Sequence, residues 1–75
     1  MSKTEKKVYW EGSAPIGCEL CKEVLEHVFI DGKTQLGFWG KLCTICHATS
    51  GVGLGTGRGQ MYVKQPNNKW LKVEG

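Results

Sequence analysis

A chain of 75 residues with a net charge of +3 and eleven glycines makes one small domain at most. A domain this short buries only about 60% of the surface its unfolded chain exposes, and each glycine loses more backbone freedom on ordering than another residue would. Hydrophobic burial alone is therefore not expected to hold the fold. No apolar run approaches the length of a membrane span, so a transmembrane role is excluded on the same grounds.

In chain order, residues 1–7 are polar and are expected to fray, leaving 8–75 as the ordered unit. The opening MSKTEKKVYWEG has lysines with no apolar stretch behind them, so no secretory leader is read and a reducing cytoplasm is expected. Val8-Tyr9-Trp10 is a short β-prone run able to pair with a later strand, and 12–17 reads as loop. After Cys18-Glu-Leu-Cys21, the spacing of Leu20, Val24, Leu25 and Val28 permits one helical turn at 22–26. Asp31-Gly32 between β-prone residues predicts the turn of a hairpin, because both central positions of such a turn need positive φ. Phe38 and Trp39 lie between Gly37 and Gly40, either as filler against a metal site or as an exposed stacking platform.

The segment 43–50 predicts a helix of about two turns, stopped by Gly51. Then comes Gly51-Val-Gly-Leu-Gly-Thr-Gly-Arg-Gly59, with glycine at every second position. It matches neither the dinucleotide fingerprint nor the P-loop, since Arg58 stands where a third fingerprint glycine would fall and no Gly-Lys-Ser/Thr follows. Either the chain folds tightly there over the cysteine turns, or its backbone approaches a phosphate or partner with Arg58 at the tip. Val52 and Leu54 alternate with the glycines, which predicts an ordered run with positive φ at one or more of Gly53, Gly55 and Gly57. Residues 60–74 read as a closing hairpin around Pro66-Asn67-Asn68.

The four cysteines form two C-x-x-C pairs separated by 21 residues. A C-x-x-C turn lets two thiolates converge on one ion while its backbone N–H groups point at the sulfurs, and two such turns complete a tetrahedron. The pattern predicts one structural Zn2+ held by Cys18, Cys21, Cys43 and Cys46. Because His47 follows Cys46, the second pair also spells the C-x-x-C-H of covalent haem attachment, with Met61 as an axial candidate. That reading leaves Cys18 and Cys21 unused and requires export from the cytoplasm. A disulfide framework and a thioredoxin-like pair are weaker alternatives, the latter because no βαβ pattern surrounds either pair. His47 is read as a bystander and His27 as a surface or cross-strand residue. A turn carrying the first pair, a hairpin, then a helix carrying the second pair is the treble-clef arrangement of a small zinc-stabilised α+β fold; a second cysteine turn in place of the helix would make a zinc ribbon. The treble clef is preferred.

Phe29-Ile-Asp-Gly-Lys-Thr34, the Leu42-Cys-x-x-Cys-His47 segment and Gly51-Val-Gly-Leu-Gly-Thr-Gly-Arg-Gly-Gln-x-Tyr62 together resemble a group of small uncharacterised zinc-binding proteins of bacteriophages and mobile elements. The resemblance covers roughly residues 18–64 and departs from the group where Gly-Pro-Trp is frequent, here Gly37-Phe38-Trp39. It implies the same four-cysteine zinc site and a phage origin, hence a place in the host cytoplasm, and it supplies no established activity.

Charge is uneven. Residues 1–27 carry four lysines against five glutamates, whereas between Asp31 and Glu74 all six charged side chains are basic. Lys33, Lys41, Arg58 and Lys64 are the candidate nucleic-acid contacts, with Phe38, Trp39, Tyr62 or Trp70 as stacking partners. The alternative is a module docking on a host or phage protein, its lysines merely solvated or offsetting a zinc–tetrathiolate centre. No nucleophile–base pair can be named, and four thiolates leave no open position for water, so no enzyme activity is expected.

Overall fold

The computed structural model describes residues 7–75, so all but the last residue of the segment 1–7 expected to fray lies outside the described residues. The fold is α+β. Four antiparallel strands, β1 (Val28–Lys33), β2 (Trp39–Leu42), β3 (Gly59–Lys64) and β4 (Trp70–Glu74), form one sheet in the order β2-β1-β3-β4, and the short helix α1 (Thr44–Ser50) lies between β2 and β3. Strands β2 and β3 flank β1 on opposite sides, so the helix and the glycine run carry the chain across β1.

The first hairpin does not turn where the local signal predicts. Asp31 and Gly32 sit inside β1, paired with Lys41 and Gly40 on one side and with Gln60 and Gly59 on the other. The turn comes at 34–38 instead, where the Thr34 N–H and hydroxyl both donate to the Phe38 carbonyl (2.9 and 3.0 Å) and Gly37 takes φ +102°. Gly32 serves packing rather than turning. A methyl group there would come within 3.2 Å of the Arg58 carbonyl oxygen and 3.3 Å of the Gly59 Cα, so the Gly32–Gly59 pair lets β1 and β3 meet beneath the glycine run. Long-range fit has overridden a local preference.

The closing hairpin forms as its turn chemistry predicts: Gln65 donates to Lys69 (2.8 Å) and Asn68 adopts φ +69°, a conformation asparagine tolerates. The segment 8–10 covers the outer edge of β4 through Trp10 N–H to Trp70 O (2.8 Å) and Lys72 N–H to Val8 O (2.7 Å), blunting an otherwise open strand. No helical turn forms at 22–26; Val24 bridges back to Gly17 instead.

The core is aromatic. Phe29 stacks on Tyr62 with centroids 5.0 Å apart, while Trp10 and Trp70 meet Phe29 edge-on at 5.3 and 4.9 Å. Cys18, Leu25 and Leu42 complete the cluster. Phe38 and Trp39, read either as filler against the metal site or as an exposed platform, are 39% and 45% exposed; Trp10, Phe29, Tyr62 and Trp70 fill the core instead.

Candidate metal centre and the lysine face

The first cysteine pair occupies a tight turn docked on β2. Cys18 N–H donates to Glu23 O (2.8 Å) and Lys22 N–H to Cys18 O (2.9 Å), closing the turn. Glu19 fastens it to the sheet, since its N–H donates to Lys41 O (2.9 Å) while its carboxylate accepts from Lys41 N–H (3.0 Å). Lys22 completes the turn at φ +71°. For an L-residue that conformation costs roughly 1–2 kcal/mol. Replacing Lys22 by valine, whose branched side chain suits it worse, should cost about 1 kcal/mol beyond lysine, and Lys22→Gly should leave stability within about 1 kcal/mol of the parent. Chemical denaturation of the metal-loaded protein reads both.

The second pair sits at the start of α1. Cys43 is the N-cap, its sulfur accepting from Cys46 N–H at 3.4 Å, and Cys46 lies one turn in. Leu20 N–H likewise donates to the Cys18 sulfur at 3.4 Å. All four sulfurs lie within 4.8 Å of one another, with Cys21 Sγ 3.7 Å from Cys43 Sγ. A tetrahedron with metal–sulfur bonds of about 2.3 Å has edges of about 3.8 Å. The four cysteines are thus placed to hold one metal ion.

Three of the thiols, Cys18, Cys21 and Cys46, are shifted from their ordinary acidity. Burial pushes Cys18 up, but backbone N–H groups of Cys21, Cys43 and Leu20 outweigh it and bring the thiol from 9.0 down to about 6. Burial and then the neighbouring Cys43, Cys18 and Cys21 sulfurs drive Cys46 up to about 12. Cys21 is lowered by a backbone hydrogen bond involving Glu23, yet desolvation and the Cys18 and Cys43 sulfurs leave it raised. Four negative sulfurs so close repel one another, and a divalent cation removes that conflict.

Neither histidine joins the sulfur cluster found among the described residues. His27 is exposed, beside Glu26 at 3.8 Å. His47 acts elsewhere, with its Nε2 3.0 Å from the Gly53 carbonyl oxygen and its ring packed against Gly51. The C-x-x-C-H pattern therefore combines two metal-ligand candidates with a side chain that fastens the glycine run. That run is ordered. Gly51 N–H donates to His47 O (2.8 Å), Val52 N–H to Lys33 O (3.2 Å), and Gly55 and Gly59 exchange hydrogen bonds of 2.7 and 3.0 Å. Gly53, Gly55 and Gly57 all adopt positive φ, at +103°, +122° and +80°.

Strand register separates the two faces of the sheet. Residues directly opposite in an antiparallel pair share a face, as do residues two apart on one strand. Lys33 opposes Trp39, Lys41 opposes Asp31, Tyr62 opposes both Phe29 and Lys72, and Lys64 opposes Trp70. One lysine from each strand thus lies on the same face as the aromatic cluster, and within β1, β2 and β3 Asp31 is the one acid there. Asp31 also helps burial raise the Tyr62 phenol, as the shared face requires. Lys41 Nζ lies 5.7 Å over the Trp10 ring and 3.9 Å from the Glu19 carboxylate, and Lys64 Nζ lies 5.8 Å over the Trp70 ring. Of the candidate contacts, Lys33, Lys41 and Lys64 share this face, and Arg58 sits in the turn before β3, its guanidinium alongside Gly53 and Gly55. Lys72 had no place among the candidates, although its register could have been reached from the closing hairpin once β3 and β4 were aligned. Tyr62 and Trp70, offered as stacking partners, are 6% and 5% exposed and belong to the core. The opposite face carries Ile30, Gly32, Gly40 and Gly59, with Gly53 above Gly59.

Comparison with protein-family models, curated proteins and solved structures returns no match for this chain. Among the described residues no helix is long and apolar enough to cross a membrane.

Proposed function

We propose that this chain is a structural zinc module of the treble-clef type, without catalytic activity, that binds nucleic acid through the lysine face of its sheet. The order of a cysteine turn, the β1–β2 hairpin and a helix bearing Cys43 and Cys46 supports the treble clef. Four thiolates with tetrahedral spacing suit Zn2+ as a closed, structural ion. The resemblance of the cysteine and glycine motifs to small phage zinc proteins accords with this reading.

The observation that carries nucleic-acid binding is the register that gathers Lys33, Lys41, Lys64 and Lys72 on one face. A phosphate backbone is the polymer such a face neutralises. Affinity should then fall with salt, the logarithmic slope being about −0.7 per neutralised phosphate on a single strand, or roughly −3 for four lysines. Lys33→Ala should reduce the magnitude of that slope by about one, and Arg58→Ala tests the neighbouring turn. Titration of labelled oligonucleotides at several salt concentrations measures both, and binding that ignores salt contradicts the reading.

A second reading, a module that docks on a protein, rests on Ile16 and Val24. These apolar side chains are 80% and 65% exposed and are brought together by Leu25 N–H donating to Ile16 O (2.9 Å). Capture of a host protein that survives nuclease treatment and is lost in Ile16→Ser would favour it.

A further inference from the structure

We infer that the nucleic acid this face takes is single-stranded, with one base stacked on the indole of Trp39; the inference rests on the nucleic-acid reading above. Trp39 is the one tryptophan left broadly exposed, at 45%, whereas Trp10 and Trp70 are engaged in the aromatic core. It is also held in place. Its Nε1–H donates to Asp31 Oδ1 at 2.7 Å across the β1–β2 pair, so the ring is already oriented before any ligand arrives. The same bond engages one oxygen of Asp31, whose single negative charge Lys33 and Lys41 outnumber on this face.

Cations flank the ring. Lys33 lies directly opposite Trp39, and Lys41 lies two residues along the same strand on the same face. An exposed aromatic surface bordered by lysines on a sheet matches the chemistry of an unpaired base with phosphates on either side. Phe38 does not extend the platform, because its ring lies against Gly40 on the opposite face. One indole therefore implies one stacked base.

Duplex is disfavoured on two counts. Its bases are stacked on one another and offer no face to an indole. A groove-reading helix is also ruled out, since α1 has seven residues, TICHATS, without lysine or arginine, and its His47 is engaged with Gly53. The stacking proposed here is indifferent to the sugar, so single-stranded DNA and RNA are both accepted.

The experiment uses the zinc-loaded chain with fluorescein-labelled oligo-dT, oligo-U and a DNA duplex of equal length, read by anisotropy at low salt. Single strands of both sugars should bind at least about tenfold more tightly than duplex. Trp39→Ala should weaken single-strand binding by about tenfold, within the range measured for removing a stacked base. Trp39→Phe should restore most of that loss, because a ring remains, and bound oligonucleotide should quench wild-type tryptophan fluorescence more than that of Trp39→Phe. Zinc content and amide spectra of each variant show whether the fold persists. Duplex binding as tight as single-strand binding, or a folded Trp39→Ala that binds like wild type, overturns the stacking inference while salt-dependent binding leaves the nucleic-acid reading standing. No binding to any of the three at low salt overturns both.

Discussion

Removing the metal is expected to unfold this protein rather than loosen it. Among the described residues its buried apolar set is short: Cys18, Leu25, Phe29, Ile30, Leu42, Tyr62 and Trp70, and the first of these is itself a candidate ligand. Helix α1 has seven residues, none of them buried, and an isolated helix of that length is not stable in water. The cysteine turn is tied to the sheet chiefly through Glu19, and the helix meets it through the sulfurs. A structural zinc ion contributes about 10–16 kcal/mol of apparent binding free energy in small peptides, against net stabilities of about 5–15 kcal/mol for whole domains. Elemental analysis should find one zinc per chain, and a strong chelator should collapse the dispersion of the amide spectrum. Retained dispersion in chelator would show that the sheet stands alone. Acid should act in the same direction. Protons compete with the metal for the four thiolates, so lowering the pH should release the ion and with it the stability it supplies. His47→Ala should keep the metal, since its ring reaches Gly53 and not the sulfurs.

The parts of the fold that were legible in the sequence are those whose physics is local. The convergence of the two cysteine pairs, the helix beginning beside Cys43, the Pro66-Asn67-Asn68 turn and the ordered glycine run each follow from a few adjacent residues. The pairing of 8–10 with a later strand was also legible, although its partner β4 was not. What failed was non-local. Asp31-Gly32 carries a strong hairpin signal, yet its glycine is needed opposite Gly59, twenty-seven residues on, and the turn moves to 34–38. Which aromatics fill the core depends on register as well: Trp10, read only as part of a β-prone run, packs edge-on against both Phe29 and Tyr62, and the Phe38-Trp39 pair lies at the surface. The lysine face was hidden for the same reason. Alternation within one strand assigns its lysines to a side, but only the register of three strand pairs shows that all four sides coincide.

Gly51 and Gly57 both belong to the glycine run, but their replacement by alanine should have very different effects. Gly51 has φ −81° and ψ 171°, an extended conformation open to any residue, so its backbone is not the obstacle. Space is. A methyl group there would collide with the His47 ring and lie 2.6 Å from the His47 carbonyl oxygen, the acceptor of Gly51's own capping hydrogen bond. Neither can retreat cheaply, since the carbonyl is helix backbone and the ring is held by Gly53. Overpacking of this kind costs about 1–3 kcal/mol, and losing the His47–Gly53 bond adds about 1 kcal/mol. Gly51→Ala should therefore destabilise the metal-loaded protein by about 2–4 kcal/mol. At Gly57 the situation is reversed: nothing lies within 4 Å of a methyl group, but φ is +80°. Only the conformational penalty of about 1–2 kcal/mol applies, reduced by the smaller entropy that alanine loses on folding. Gly57→Ala should cost about 1 kcal/mol or less. Denaturant titrations of the two variants side by side test the difference, and amide exchange across 51–59 locates it: fast exchange through the run in Gly51→Ala, confined to the 55–59 turn in Gly57→Ala. Equal losses in the two variants would mean that His47 does not hold the run against the helix.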